Sequence, residues 1–448
     1  MIARLFNKPG ISRGELLVHL RNSWAMSWPM IFIMFFDFLI NLTDVYIAGR
    51  LGKEVQASVG FVSQVYFIFI VVANALTVGT VSTISKLSTS GDENALRTTV
   101  YSVLTSTIVS GFFLSIGGFL LSGPVISTLG VPQAVKEFGI PLVEVYACGL
   151  VFHYFLITTN GILRAHRMVK QSMITMACVC GINLALNFTL VFNTPLGFRG
   201  IALSTALSYL AGALINAIHV KKLFTGARRF SIEIVRKVAR IGWPAGMVQV
   251  MWQLGSAVLF IILSKLPENN IEVLAAFTNG LRIEAAIFLP AFAFNMANAV
   301  VVGNLIGAGR KADAFRGGMT TAAIGVGIIT VLTAIVVLQA RSFSSFLSGN
   351  ETVIGESVRY LYISMASEPF MAWAVITGGA LSGAGDTRGI MKIVVFSQWA
   401  VRLPMAYLLG IVAGLGPVAV WWSMNASIFV HFVLITRRYL RGKWVDYA

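Results

Sequence analysis

The sequence predicts an all-α, polytopic membrane protein with twelve membrane-spanning helices arranged as two pseudo-symmetric six-helix lobes. Three observations lead to this prediction: long apolar runs, charges that collect between those runs, and landmark sequences that recur at half the chain length. Of the 448 residues, 56% are hydrophobic and 12% are charged, and the mean hydropathy is +0.79. Soluble domains typically carry about 25% charged residues, so the composition indicates lipid as the solvent.

The apolar runs are about twenty residues long, which is the length a helix needs to cross the hydrocarbon core. They are predicted as helices because unpaired backbone amides are costly in lipid, and because the runs lack the alternation of a barrel strand. The first run is too long for the core of a signal peptide, so we expect it to be retained as a span. The predicted spans are 24–48, 59–84, 99–122, 138–163, 171–193, 200–220, 241–263, 273–303, 317–340, 357–381, 393–412 and 415–436.

A net charge of +16 is typical of proteins that bind nucleic acid, but the positions of the charges argue against such a partner here. Of the 34 Lys and Arg residues, 25 fall on the side that holds both termini, 7 fall on the other side, and Arg282 and Arg402 lie within spans. By the positive-inside rule both termini are cytoplasmic. The basic balance is therefore assigned to topology and to anionic lipid headgroups, without nucleic acid as a partner.

One internal repeat, close to half the chain, organises the sequence. Four landmarks keep their order and recur at offsets of 215 to 219 residues. They are Trp28-Pro29 with Trp243-Pro244, Ala95 to Arg97 with Ala314 to Arg316, Asn160 to Leu163 with Gly378 to Leu381, and Leu196-Gly197 with Leu415-Gly416. The repeat predicts an N-terminal lobe at 1–220, a basic cytoplasmic linker at 221–240 and a C-terminal lobe at 241–448. In such folds the substrate pathway lies between the lobes and access alternates.

Ionisable side chains inside the spans are the most informative residues, because each costs about 2.5–3.5 kcal/mol at the bilayer centre. Asp37 and Asp44 lie seven residues apart in span one and share a helical face. A carboxylate kept from water inside protein can exchange a proton or hold a cation. The alternative for each is a carboxylate bonded to nearby polar groups.

Polar groups in other spans leave two interpretations open. Asn183 and Asn187 are one turn apart in span five, and Thr205 lies in span six. They can complete a hydrogen-bond shell around a carboxylate, or simply join helices to one another. In the second half, Glu284 and Glu368 are equally consistent with a transport site or with buried charge pairs.

Signatures of enzymes and resident cofactors are missing from the sequence. The three cysteines fall inside spans without zinc or disulfide spacing, and the five histidines show no metal-ligand spacing. No phosphate-binding glycine loop with its lysine is present, which disfavours direct coupling to ATP hydrolysis. Any transport is therefore expected to run downhill or on an ion gradient, without a cofactor.

Three segments together resemble the multidrug and toxic compound extrusion (MATE) family. Asn41 to Gly52 resembles the family's first-helix signature. Val302 to Gly309 after span eight, and Gly379 to Thr387 after span ten, are similar to further family motifs. The resemblance covers essentially the whole chain, with the motifs in the family's order.

The resemblance implies a twelve-helix antiporter that exports amphipathic, often cationic, compounds in exchange for protons or sodium. It implies an ion site at Asp44, Asn183, Asn187 and Thr205, where many relatives have an aspartate in place of Asn187. The C-terminal acids of sodium-coupled relatives are replaced here. Gln249, Gln253 and Met371 stand near those positions, and Glu284 or Glu368 are candidates to substitute for them in coupling or substrate binding, together with Gln253.

Two alternative functions remain at this point. One is a flippase for lipid-linked saccharides, whose cavity would be cationic, and Arg282 and Arg402 are its only support. The other is a polytopic membrane enzyme, for which no cluster of histidines or carboxylates is found. The expected setting is a monomer with both termini cytoplasmic in a bacterial or archaeal inner membrane, with small amphipathic or cationic substrates and lipids as partners.

Overall fold

The computed structural model describes residues 13–128, 130–221, 229–267 and 269–446, and within them it is helical with no strand. The predicted all-α fold is therefore confirmed. The α-helices in chain order are α1 (Arg13–Leu51), α2 (Lys53–Ser90), α3 (Glu93–Thr128), α4 (Gln133–Ala165), α5 (Val169–Phe192), α6 (Arg199–Lys221), α7 (Ile232–Ser264), α8 (Asn270–Gly307), α9 (Lys311–Leu338), α10 (Ala340–Leu347), α11 (Glu351–Ser364), α12 (Glu368–Gly383), α13 (Thr387–Val395), α14 (Leu403–Tyr407) and α15 (Gly416–Leu440).

Eleven helical segments of the described chain are long and apolar enough to cross a membrane, and they coincide with eleven of the predicted spans. They are α1 to α9, the continuous segment Thr387–Val412 and α15. The exception is predicted span ten, which consists of α11 and α12 joined by a 3₁₀ turn at Met365–Ser367. Neither helix alone has the length of a span, but the two together cover residues 357–381.

Proline chemistry and one asparagine explain the break in the tenth span. Pro369 sits in the first turn of α12, where the missing amide N–H is not needed. Asn425 on α15 forms hydrogen bonds on both sides of the break. Its Nδ2 donates to the carbonyl of Ile363 at 2.6 Å, and its Oδ1 accepts from the Ser367 hydroxyl at 2.8 Å. The backbone groups that the turn releases are thereby partly satisfied inside the protein.

The chain divides into two compact units. The first unit is Phe32–Trp243, and the second combines the chain up to Ile31 with Pro244 onward. One boundary falls within Trp243-Pro244 in α7 and the other lies two residues after Trp28-Pro29 in α1, whereas the predicted boundaries lay at the ends of the basic linker 221–240. Of that linker, residues 222–228 lie outside the described chain.

Close contacts explain why the start of α1 belongs to the second unit and the start of α7 to the first. In the second unit, the Ser23 hydroxyl on α1 lies 2.8 Å from that of Thr321 on α9. In the first unit, Gly79 on α2 faces the carbonyl of Val238 on α7, and a Cβ there would overlap it. Small residues are what allow helix backbones to approach this closely.

Glycines in the motif after span ten serve packing. A Cβ at Gly379 or Gly383 of α12 would overlap the backbone carbonyls of Asn295 or Ala299 on α8. At the end of the motif, Asp386 forms a two-pronged ion pair with Arg438 on α15, with distances of 2.5 and 2.7 Å. This motif therefore holds helices of the second unit together.

Candidate functional site

Asp44 lies on the packed face of α1 and is 6% exposed. Ile40 and Ile47, one turn before and three residues after it on the same face, are fully buried, while the opposite face carries exposed apolar side chains such as Leu42 and Tyr46. The apolar pattern of the helix therefore turns the carboxylate inward, away from lipid.

Three neutral groups donate hydrogen bonds to the Asp44 carboxylate. Asn187 Nδ2 on α5 donates to Oδ1 at 2.8 Å, and the Thr205 hydroxyl on α6 donates to Oδ2 at 2.8 Å. The Tyr146 hydroxyl on α4 completes the set at 3.3 Å. Four helices of the first unit thus converge on one buried carboxylate, and no described cation forms an ion pair with it.

Asn183 forms a second layer behind these donors. Its Nδ2 donates to the Thr205 hydroxyl at 3.0 Å, and its Oδ1 accepts from Asn187 Nδ2 at 3.2 Å. The Oδ1 of Asn187 is buried without a hydrogen-bond partner. Asp44, Asn183, Asn187 and Thr205 are therefore brought together as predicted, and their role in ion coupling remains a prediction.

Asp37 stands apart from this network. Its carboxylate receives no hydrogen bond from the described side chains, and Asn41 donates instead to the backbone carbonyl of Asp37 at 2.9 Å. Tyr66 on α2 and Tyr209 on α6 lie within electrostatic range of Asp37. The structure thus places Asp37 outside the group bonded to Asp44.

The second unit buries a different cluster around Glu284 on α8. The Tyr360 hydroxyl on α11 donates to Glu284 at 2.7 Å, and the Tyr360 ring packs edge-on against Trp421 of α15 with centroids 4.7 Å apart. Glu284 is 4% exposed. Arg282, two residues earlier, is exposed, so the two side chains lie on different faces of α8.

Arg402 and Glu368 complete this cluster. Arg402 lies at the end of a π-helical stretch, Phe396–Arg402, where the wider turn reshapes the helix, as at many functional sites. Its Nε donates to Ser427 at 2.9 Å, its guanidinium lies 5.3 Å from the Trp252 ring centroid, and both carboxylates are within its electrostatic range. Glu368 is 3% exposed and receives no hydrogen bond from the described side chains.

Gln253, a predicted site residue, follows Trp252 on α7 and is exposed.

The sequence analysis did not identify Tyr146 and Tyr360, which donate hydrogen bonds to Asp44 and Glu284. Their position inside predicted spans was the available signal, because a buried phenol hydroxyl usually has a hydrogen-bond partner.

No group of three or more His, Cys, Asp or Glu side chains that could hold a metal ion is found in the described part of the chain. The cysteines there are free. Asp44 and its neighbours offer candidate ligand oxygens from one carboxylate, two side-chain amides and two hydroxyls, and such oxygens suit a hard cation and not a transition metal.

Comparisons with known proteins agree with this architecture. Among curated proteins, the chain is 22% identical to "Uncharacterized transporter YisQ" of Bacillus subtilis, with 94% of each chain covered. It is 23% identical to "Multidrug resistance protein NorM" of Burkholderia vietnamiensis, with 96% of this chain and 95% of the relative covered.

Solved structures share the fold. The Vibrio cholerae MATE transporter VcmN in the bent form matches with a TM-score of 0.89 at 18% identity, covering 96% of this chain and 99% of that one. A MOP superfamily transporter from Pyrococcus furiosus, whose binding pocket is described as having reverse polarity, matches with a TM-score of 0.87 at 20% identity, covering 98% of this chain and 100% of that one.

The family model for MatE matches residues 29–189 and 244–408, one stretch in each half of the chain. This family comprises transporters, so the alternative of a membrane enzyme is wrong. The chain is a multi-pass membrane protein that belongs to the MatE family, the multidrug and toxic compound extrusion transporters.

Proposed function

We propose that this protein is a secondary active efflux transporter that exports amphipathic, often cationic, compounds by antiport with protons or sodium, with Asp44 as the coupling carboxylate. The observation that carries the proposal is a buried carboxylate held by neutral donors, without a cationic partner among the residues that the structure describes. Relatives named multidrug resistance proteins along nearly the whole chain support the substrate class.

Hydrogen-bond donors around Asp44 stabilise its charge without cancelling it, because amides and hydroxyls are neutral. A proton or a sodium ion can therefore still bind there. For sodium, the Asp44 carboxylate and the oxygens of Asn183, Asn187 and Thr205 provide hard ligands. The Oδ1 of Asn187 has no hydrogen-bond partner, so it is available as a further ligand for a cation. Rotation of the amide would place this oxygen where Nδ2 now donates to Asp44.

Occupation of the site changes the hydrogen bonds of four helices. With the ion absent, Asn187, Thr205 and Tyr146 point donors at a negative charge. With the ion bound, the charge is neutralised and oxygens are preferred at these positions. An ion that binds one conformation better than another shifts the equilibrium by its differential affinity, which is the basis of coupling by alternating access.

The Glu284 cluster is the candidate for a second cation site. Two buried carboxylates, Glu284 and Glu368, share one guanidinium, that of Arg402. When both are ionised, the cluster carries one surplus negative charge, and a buried surplus charge favours binding a proton or a cation. The exposed Gln253 contributes no charge to this balance.

The lipid-linked saccharide flippase has less support. Its two candidate cations differ in setting: Arg282 is exposed, and Arg402 is flanked by two carboxylates. A pyrophosphate would therefore meet negative charge beside Arg402. The proposed setting remains a monomer in the inner membrane with cytoplasmic termini.

The proposal is tested by measuring ethidium uptake into inside-out vesicles across which a pH or sodium gradient is imposed. We expect Asp44→Asn to reduce gradient-driven uptake to the level of vesicles without the protein, because the amide carries no negative charge to attract a cation and does not take up a proton at neutral pH. Glu144→Gln, which removes a partly exposed carboxylate on α4 of the same unit, is the matched control and should retain uptake. Undiminished uptake by Asp44→Asn at equal expression would contradict the proposal.

A further inference from the structure

Asp37 faces the interior of the first unit. It lies between Ile33 and Ile40 on the packed face of α1, and these isoleucines are 6% and 1% exposed. Phe35 and Phe38, on other faces of the same turns, are 45% and 43% exposed. Asp37 itself is partly exposed, so it lies at the edge of this packed face and a ligand can reach it.

The Asp37 carboxylate has no hydrogen-bonding or ion-pairing partner among the described residues. Asn41, on the same helical face, uses its amide on a backbone carbonyl instead. Two turns along the helix, Asp44 has three donors. A charged group inside a membrane protein without a partner is unfavourable unless something outside the chain neutralises it.

Aromatic side chains from three other helices of the same unit form one contact cluster. The Tyr66 hydroxyl is 2.9 Å from His153 Nδ1, and the His153 ring is stacked on Tyr209 with centroids 3.9 Å apart. The same imidazole is nearly parallel to the Tyr66 ring, at 5.8 Å. His153 therefore positions both tyrosines. His153 follows Tyr146 by two turns of α4, and Tyr209 follows Thr205 by one turn of α6, so from the bonds to Asp44 the cluster extends along the membrane normal toward the level of Asp37.

A carboxylate next to electron-rich aromatic rings is a common arrangement for binding organic cations, since the charge is attracted to both. We propose that Asp37, with Tyr66 and Tyr209, binds the cationic group of the transported compound, and that His153 is a positioning residue for the two tyrosines. This inference rests on the proposed function and adds the residue that recognises the substrate.

Separate carboxylates for substrate and coupling ion have a consequence for exchange. Seven helical residues place Asp37 and Asp44 about 10 Å apart along α1. Two cations at that spacing repel each other enough to lower each other's affinity by on the order of tenfold at an effective dielectric constant near 20. Such mutual antagonism is reciprocal, and antiport requires it.

The test is equilibrium dialysis with the full-length protein in nanodiscs, with empty nanodiscs as the blank. The probes are radiolabelled tetraphenylphosphonium, a cation, and triphenylphosphine oxide, a neutral compound of similar shape. We expect Asp37→Asn to weaken tetraphenylphosphonium binding by more than about tenfold, since the loss is that of a charge partner. Binding of the neutral probe should be unchanged, and Asp37→Glu should restore part of the cation affinity.

Two further variants separate this inference from the proposed function. Asp44→Asn removes a negative charge about 10 Å away, so it should weaken tetraphenylphosphonium binding by no more than about tenfold while losing gradient-driven uptake. Glu144→Gln should match wild type in both assays. His153→Phe should weaken binding of the cation more than that of the neutral probe.

The inference is overturned if Asp37→Asn binds the cation as wild type does, if it loses both probes equally, or if the wild type binds neither. If the wild type binds the cation through Asp37 but shows no gradient-driven uptake, the proposed function is refuted and the binding site at Asp37 is supported.

Discussion

The two units each bury negative charge, and they do so by opposite means. In the first unit, Asp44 is surrounded by neutral donors, so its full charge remains available. In the second, Glu284 and Glu368 face Arg402, and the cation cancels one of two charges. Neutral donors rearrange when the charge is neutralised, whereas a guanidinium keeps its charge. The site at Asp44 is therefore suited to changing its hydrogen bonds when an ion binds. The cluster of the second unit depends on the permanent charge of Arg402 opposite the two carboxylates.

The largest expected effect comes from removing both carboxylates of the second unit. Combining Glu284→Gln with Glu368→Gln leaves Arg402 as a buried charge without compensation, which costs about 3–5 kcal/mol of stability. We expect a clear fall in the thermal unfolding temperature of the purified protein. Glu368→Gln alone keeps one carboxylate opposite Arg402 and should melt close to wild type. Equal melting of the double variant and wild type would show that Arg402 does not depend on these acids.

A smaller effect is expected from disturbing the packing that holds Tyr360 against Glu284. A Cβ at Gly280 of α8 would overlap the Tyr360 ring, so Gly280→Ala should destabilise the protein by about 1–3 kcal/mol. Gly327→Ala on α9, where a Cβ meets nothing within 4 Å, is the control. It should be neutral or gain about 0.5–1 kcal/mol from helix propensity. Thermal melting of the two variants tests this contrast, and equal melting would argue that Tyr360 is free to move.

The smallest effect is expected from removing one donor at each site. Tyr146→Phe deletes the long 3.3 Å bond to Asp44, and Tyr360→Phe deletes the 2.7 Å bond to Glu284. A typical hydrogen bond contributes about 0.5–1.5 kcal/mol net. We expect Tyr146→Phe to shift the ion concentration for half-maximal ethidium uptake by about two- to tenfold. Tyr360→Phe should mainly lower the melting temperature, and the reverse pattern would exchange the roles assigned to the two sites.

The fold could be predicted from the sequence because lipid imposes a simple rule on composition and length. The gathering of Asn183, Asn187 and Thr205 around Asp44 was accessible through helical spacing together with the family motifs. The partners of Glu284 were not, since Tyr360 lies 76 residues away and no local periodicity connects them. The break at Met365–Ser367 was signalled by Pro369, but its support by Asn425 depends on tertiary packing.

The helices α1 and α7, each of which belongs partly to both units, also constrain biosynthesis. During translation, the stretch that ends at Ile31 is made before Phe32–Trp243, but the rest of its unit begins only at Pro244. That stretch therefore has no packing partners from its own unit until the whole of Phe32–Trp243 has been synthesised. A chain cut within 222–228 would yield fragments that each carry a helix segment the other needs, so we expect neither fragment to assemble a complete unit when synthesised alone.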